Sequence, residues 1–254
     1  MKNNLKKLLI KLLTPLNKKL GFVIKSSNYN IYEKDYLLLN LIKLIKSKNF
    51  KIKLIIDIGA NHGTWTRLWK KEFPESNYIL VEPQKWLENS FNDLLDSNTI
   101  YLPIGAGKEN GTFKFTINSD RDDSSTFSLS EKEAIDRGFK QIEIPIKTLN
   151  TIIKENGNKI PEIVKIDAEG LDLEVLDGAS DLFGITELFL VEVAINNKRM
   201  PNDIKTVINY MDDKGYKVFE MTDLNRPFKS QALWLAEFAF IKKDGFFDTF
   251  DWKN

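Results

Sequence analysis

The sequence predicts an α/β fold on a doubly wound, seven-stranded and mostly parallel sheet, with an antiparallel last strand and a β-ribbon insertion. Three observations lead there. From Lys51 onward, short β-branched apolar runs alternate with stretches of helical periodicity. That rhythm breaks once, over residues 105–147, where two runs alternate like a ribbon. The last two strand-like runs are joined by a loop containing Pro227, which makes them an antiparallel hairpin.

The elements follow in chain order. Leu5, Leu8, Leu9, Leu12, Leu13, Leu16 and Leu20 share one helical face, with Lys6, Lys7, Lys11, Lys18 and Lys19 mostly off it, and Pro15 interrupts the run. Residues 1–53 hold thirteen Lys against Glu33 and Asp35, a net +11 (13 − 2), which leaves −10 for the rest of a chain of 37 basic and 36 acidic residues. Two parts follow: a basic amphipathic helical extension over 1–50 and a body over 51–254. The extension suits peripheral contact of residues 1–25 with an anionic membrane, or packing on the body or on a second subunit in a homo-oligomer. It lacks the interleaved aromatics of a nucleic-acid site. Tyr36 to Lys46 is apolar enough to be core. In the body, strands are expected at 53–58, 78–81, 99–104, 163–166, 187–193, 216–221 and 234–241. Helices are expected at 64–73, 84–95, 171–176 and 203–214. The ribbon runs over 112–117 and 142–147 with a short helix between.

Composition removes several classes. With no cysteine there is no disulfide framework and no thiolate metal site. No stretch reaches the roughly 18 uncharged apolar residues of a membrane span. Lys11 breaks the apolar run and no small-residue cleavage site follows, so a cytoplasmic protein is expected, peripheral at the inner membrane face if the extension docks there.

Ligands of such sheets bind beyond the carboxyl ends of the strands. The first end reads Asp57-Ile58-Gly59-Ala60-Asn61-His62-Gly63, a tight turn without the G-x-G-x-x-G spacing of a pyrophosphate site. The second reads Val81-Glu82-Pro83, and Glu82 stands where an acid accepts both ribose hydroxyls. A glycine turn without pyrophosphate spacing, followed by a ribose-type acid, describes a nucleoside with an amino-acid tail: S-adenosylmethionine. Asp167, Glu169 and Glu192 follow the fourth strand or end the fifth. Clustered carboxylates there suit either of two roles toward a hydroxyl. One takes the hydroxyl proton as a base, or Asp167 and Glu192 bind Mg²⁺, which lowers the hydroxyl pKa. His62, the single histidine, is a further candidate base. Ser124, Ser125 and Phe127 in the ribbon loop, with Arg199 and Arg226, are candidate acceptor contacts, the arginines for a phosphate.

Those first two segments, together with Lys165-Ile166-Asp167-Ala168-Glu169-Gly170 and Leu176-Asp177-Gly178-Ala179, resemble the FkbM-type methyltransferases in order and spacing over roughly residues 51–243. The resemblance implies a Rossmann-like class I S-adenosylmethionine-dependent O-methyltransferase, similar to enzymes that methylate hydroxyls of sugars and polyketides. It implies that Asp57, Gly59, Asn61 and Gly63 cradle the methionine part and Glu82 the ribose. Ile104, Gly105 and Ala106 would line the adenine, and Ala60, Pro83 and Asp167 would complete the cofactor set. The acceptor it suggests is a sugar hydroxyl of a bacterial surface glycan, or its nucleotide-linked or phosphorylated precursor. A lipid or natural-product hydroxyl, and a non-catalytic partner subunit docking through residues 1–50, are the alternatives.

Overall fold

The computed structural model describes residues 35–117, 125–126, 129–198 and 200–249. The Leu and Lys pattern of residues 1–25 lies outside them, as do Ser124, Phe127 and Arg199. The described chain opens with helix α1 (Tyr36–Ser47), whose Leu38, Leu41, Ile42 and Ile45 are buried at the i, i+3, i+4, i+7 spacing. They join one core cluster with Ile55, Trp69, Leu80, Ile163 and Leu190, so the expected core helix belongs to the body.

Strand β1 (Leu54–Ile58) is buried along its whole length, as its uninterrupted apolar run requires. Helix α2 (Thr64–Glu72) carries the chain to β2 (Asn77–Val81), which pairs parallel with β1. The regular helix expected over 84–95 is instead a 3-10 helix over Lys85–Phe91. Asn89, Ser90 and Asn92 are poor helix formers, and the Ser90 hydroxyl donates to the Leu87 carbonyl at 2.5 Å, a local bond that competes with the backbone. Leu87, Phe91 and Leu94 are buried, whereas Trp86 and Leu95 are exposed. Strand β3 (Thr99–Leu102) forms one edge of the sheet.

The ribbon is a second sheet. Strands β4 (Gly105–Ala106), β5 (Gly111–Ile117), β6 (Ser125–Thr126) and β7 (Lys140–Lys147) pair in the order β4-β7-β5-β6. The short helix α3 (Glu131–Asp136) between β6 and β7 starts on a capping box of Ser130 and Glu133. An unforeseen helix, α4 (Leu149–Glu155), follows, capped by the Thr148 hydroxyl.

Alternation then resumes through β8 (Ile163–Ile166), α5 (Asp172–Asp177), β9 (Leu188–Ala194), α6 (Ile204–Asp213), β10 (Tyr216–Asn225) and β11 (Leu235–Lys242). The main sheet has the order β10-β11-β9-β8-β1-β2-β3. Only β11 runs against its neighbours, pairing antiparallel with both β9 and β10. The chain thus winds outward from β1 to β3, then returns to the other side of β1 at β8, where Asp57 faces Lys165 in register. Successive β1 residues serve opposite faces: Ile56 and Ile58 join the cluster with Val164, Ile166 and Val191, and Ile55 joins the one with α1. The strand order reverses at the β1/β8 pair, so the crevice at their carboxyl ends is where a ligand is expected.

Candidate active site

The crevice begins with the turn after β1. The N–H groups of Gly59 and Ala60 donate to the Val81 carbonyl at 2.9 and 3.2 Å, which folds the turn over the end of β2. Gly59 has φ +72°, and a Cβ there would stand 1.9 Å from the carbonyl oxygen of Asp167. Only glycine lets the two backbones meet. Asn61 also takes a positive φ, and Gly63 closes the turn as α2 starts.

Around this contact lies an open pocket of about 650 Å³, counting the space that is continuous with solvent. Its polar side holds Gly59, Asn61, Glu82, Gln84, Asp167 and Glu169. Its apolar side is Phe113, Phe115, Ile144 and Ile146 of β5 and β7, with Gly105 and Ala106 of β4 and Pro83 at the rim. Glu82 is buried, yet both its oxygens are held by backbone donors: the Asn61 N–H at 2.9 Å from Oε2 and the Gln84 N–H at 2.9 Å from Oε1. Burial raises its pKa, and these two N–H bonds oppose the rise. Each carboxylate oxygen has capacity for a second hydrogen bond.

The opposite wall follows β8. The Asp167 N–H donates to the Ile58 carbonyl at 3.1 Å. The loop beyond is gripped by Asp172, fully buried, whose carboxylate accepts from the N–H groups of Ala168 and Gly170 at 3.0 Å and from Asn202 Nδ2 at 2.8 Å. Glu169 sits in that loop at φ +52°, a strained conformation for a side chain with a Cβ. Burial, and then the charges of Asp167 and Asp172, push its carboxyl up to about 8. Burial likewise pushes Asp172 and Glu237 up to about 7, the latter against the pull of Lys165 and of its hydrogen bond from Thr222. Glu192 pairs with Glu237 across β9 and β11. It is held well above the ordinary range by burial and by Asp167, Asp172 and Glu169.

Several expected site residues are placed differently. Asp57 lies behind the wall: its Oδ2 accepts from the Thr66 hydroxyl at 2.6 Å and its Oδ1 stands 3.4 Å from Lys165 Nζ. Ala60 and Gly63 shape the turn from outside the lining, and Ile104 packs against the core. His62 is exposed, with Nδ1 3.1 Å from Ser90 Oγ, away from the pocket wall. Arg226 donates to the Gln231 carbonyl within its own hairpin. Ser125 is in β6, at the far edge of the ribbon sheet from β4. Among the described residues no group of three or more His, Asp or Glu side chains is arranged to hold a metal ion. Asp167 pairs with the Lys165 ammonium at 3.1 Å. Lys165, Asp172, Glu237 and the ribbon aromatics are the site residues that sequence reasoning missed.

The acid cluster carries a sign for stability. Glu169, Asp172 and Glu237 all bind protons more tightly in the folded chain than an ordinary carboxylate does. Between about pH 4 and 8 the folded state therefore holds more protons than the unfolded one, and stability falls as pH rises. Calorimetric melting should give a higher Tm at pH 5.5 than at pH 8.5, and a Tm that rises over that interval would contradict the assignment. The surface acids with lowered pKa, such as Asp96 and Asp203, act below this window.

The sequence matches the methyltransferase FkbM domain over residues 57–218. It is 22% identical over 183 residues to methyltransferase 1 of Beauveria bassiana (strain ARSEF 2860), covering 65% of this chain and 72% of that protein. It is 24% identical over 195 residues to methyltransferase sdnD of Sordaria araneosa, covering 65% and 73%. A solved structure of 1,6-didemethyltoxoflavin-N1-methyltransferase from Burkholderia thailandensis, with bound 1,6-didemethyltoxoflavin and S-adenosylhomocysteine, superposes with a TM-score of 0.44 at 9% identity over 85% of this chain and 82% of that one. The matched span runs from the Asp57 turn to β10, well over half of the chain, and on it rests the conclusion that the chain belongs to the FkbM methyltransferase family and is a methyltransferase of Rossmann-like class I fold.

Proposed function

We propose that the chain is an S-adenosylmethionine-dependent O-methyltransferase acting on a carbohydrate hydroxyl, of a bacterial surface glycan or of its nucleotide-linked or phosphorylated precursor. One observation carries the reading: a single pocket holds both a backbone-braced buried acid, Glu82, and a carboxyl of strongly raised pKa, Glu169.

The lining fits the cofactor. Glu82 is the acceptor for the ribose hydroxyls, and the wall of Phe113, Phe115, Ile144 and Ile146 takes the adenine face. The Gly59 turn leaves backbone room for the methionine part, with Asp167 as the anionic partner of its ammonium. When bound, S-adenosylmethionine supplies a methyl group on a sulfonium, so the protein's task is alignment and proton removal. Glu169 accepts the acceptor's hydroxyl proton as the new O–CH₃ bond forms. A base with a pKa near 8 is matched to that task, since an ordinary carboxylate is too weak a base for a sugar hydroxyl. The carboxylates after β8 and β9 offer the several acceptors that a polyol's neighbouring hydroxyls need. Lys198 after β9 stands at the carboxyl end of the sheet, where a phosphate of an activated sugar finds a cation. In the same reading, residues 1–25 bring the enzyme to the inner face of the membrane, where such glycans are assembled.

Titration calorimetry with S-adenosylhomocysteine, with NAD as control, tests the cofactor. Binding of the former alone is expected, and Glu82→Ala should weaken it by roughly 1.5–3 kcal/mol, about 10- to 150-fold. Unchanged affinity in that variant removes the ribose assignment, and no binding by the wild-type chain removes the cofactor. Transfer of a labelled methyl group to a panel of sugars, sugar phosphates and nucleotide sugars then tests the acceptor class.

A further inference from the structure

Lys165 is 5% exposed, in the middle of an otherwise apolar strand, and does not reach the pocket wall. An ammonium buried there is costly unless its protons are matched. Three acceptors converge on it: the Gly59 carbonyl at 3.0 Å, Asp167 Oδ2 at 3.1 Å and Asp57 Oδ1 at 3.4 Å. Burial opposes its charge, but Asp167, Asp57 and, from β11, Glu237 outweigh burial and hold its pKa above the usual lysine range. A mere counter-ion for the buried Asp57 would make its shortest contact there. Here that contact is the longest of the three, and the Thr66 hydroxyl bonds the other Asp57 oxygen, Oδ2. The two short contacts go to the two sides of the crevice: the carbonyl of the glycine turn and the first carboxylate after β8.

We propose that Lys165 is a positioning residue for the methyl-transfer site, tying the Gly59 turn to the Asp167 carboxylate so that the two walls of the pocket keep one spacing. The inference rests on the cofactor reading above. The compact ammonium meets the Gly59 carbonyl and Asp167 Oδ2 at one point, a convergence the planar fork of arginine does not reproduce. The lysine acts from behind the wall on groups that meet the ligand.

The test is S-adenosylhomocysteine titration and thermal melting of the full chain and three variants. Lys165→Met leaves Asp57 buried without its cation and is expected to be destabilised. The pair Asp57→Asn with Lys165→Met removes the charge left unpaired in the single variant and should melt above it. If Lys165 only neutralises Asp57, that double variant binds S-adenosylhomocysteine within about twofold of wild type, and the proposal is overturned. If Lys165 sets the spacing, the double variant stays folded but binds roughly tenfold or more weakly, and Lys165→Arg does not restore the affinity. Lys165→Met that folds and binds like wild type also overturns it. A wild-type chain that binds no S-adenosylhomocysteine sinks the cofactor reading and this one together. Wild-type binding with undiminished variants sinks this one alone.

Discussion

Gly59→Ala is expected to cost about 3 kcal/mol of stability or more and to abolish S-adenosylhomocysteine binding. Two effects add. An L-residue at φ +72° bears a penalty of about 1–2 kcal/mol. The new Cβ would also fall 1.9 Å from the Asp167 carbonyl oxygen, and a backbone atom in the sheet's crossover cannot swing aside as a side-chain tip does. Either β8 or the turn must shift, and both are walls of the pocket. Gly184 supplies the control: its φ is +80° and a Cβ there meets nothing within 4 Å. Gly184→Ala should therefore show only the conformational penalty. Urea unfolding of the two variants separates the terms, and equal losses would show that the close approach at Gly59 carries no cost.

Glu169→Gln should lower kcat by about 10²- to 10⁴-fold while leaving S-adenosylhomocysteine affinity nearly unchanged, the pattern of a lost proton acceptor. Glutamine keeps the size and the strained backbone but cannot take the acceptor's proton. In the wild type, activity should climb with pH and level off above about 8, because only the ionised carboxylate is competent. Below that point each unit of acidification removes about tenfold of the active form. The variant should lose that limb of the profile. A Glu169→Gln enzyme retaining wild-type turnover, or a wild-type profile flat from pH 6 to 8, would move the proton acceptor elsewhere in the cluster.

The strands are legible because buried parallel strands are written as short apolar runs: the 163–166 strand lies where its run predicts, and the others fall within a few residues of their expected ends. The 3-10 segment after Pro83 is not, since its apolar positions repeat like a helix while its Asn and Ser side chains favour local bonds. Helix α4 does carry a signal, with Thr148 as cap and Leu149, Ile152 and Ile153 at helical spacing, all three buried. In the site, the glycine turn and Glu82 are readable because backbone geometry and ribose recognition restrict which residues fit. The ribbon's contribution is not. Alternation shows that Phe113 and Phe115 share a face, but only tertiary packing decides that this face closes the pocket. Lys165 and Glu237 are visible as charges interrupting apolar strands, yet beyond Asp167, two residues from Lys165, their partners lie elsewhere in the chain and no linear pattern pairs them.

The insertion of β8 beside β1 also constrains when the pocket can form. Gly59 and Lys165 meet across 106 residues of chain, with the ribbon wall made entirely from the intervening segment. A chain emerging from the ribosome can pair β1 with β2 and β2 with β3 early, but its crevice has one wall until Asp167 has been synthesised and β8 has paired with the open edge of β1. Closing that loop is among the slowest events available to such a topology. A ligand bound across the crevice therefore cannot guide the early steps of folding. It acts only on the finished sheet, as a brake on the separation of its first and fourth main-sheet strands in chain order.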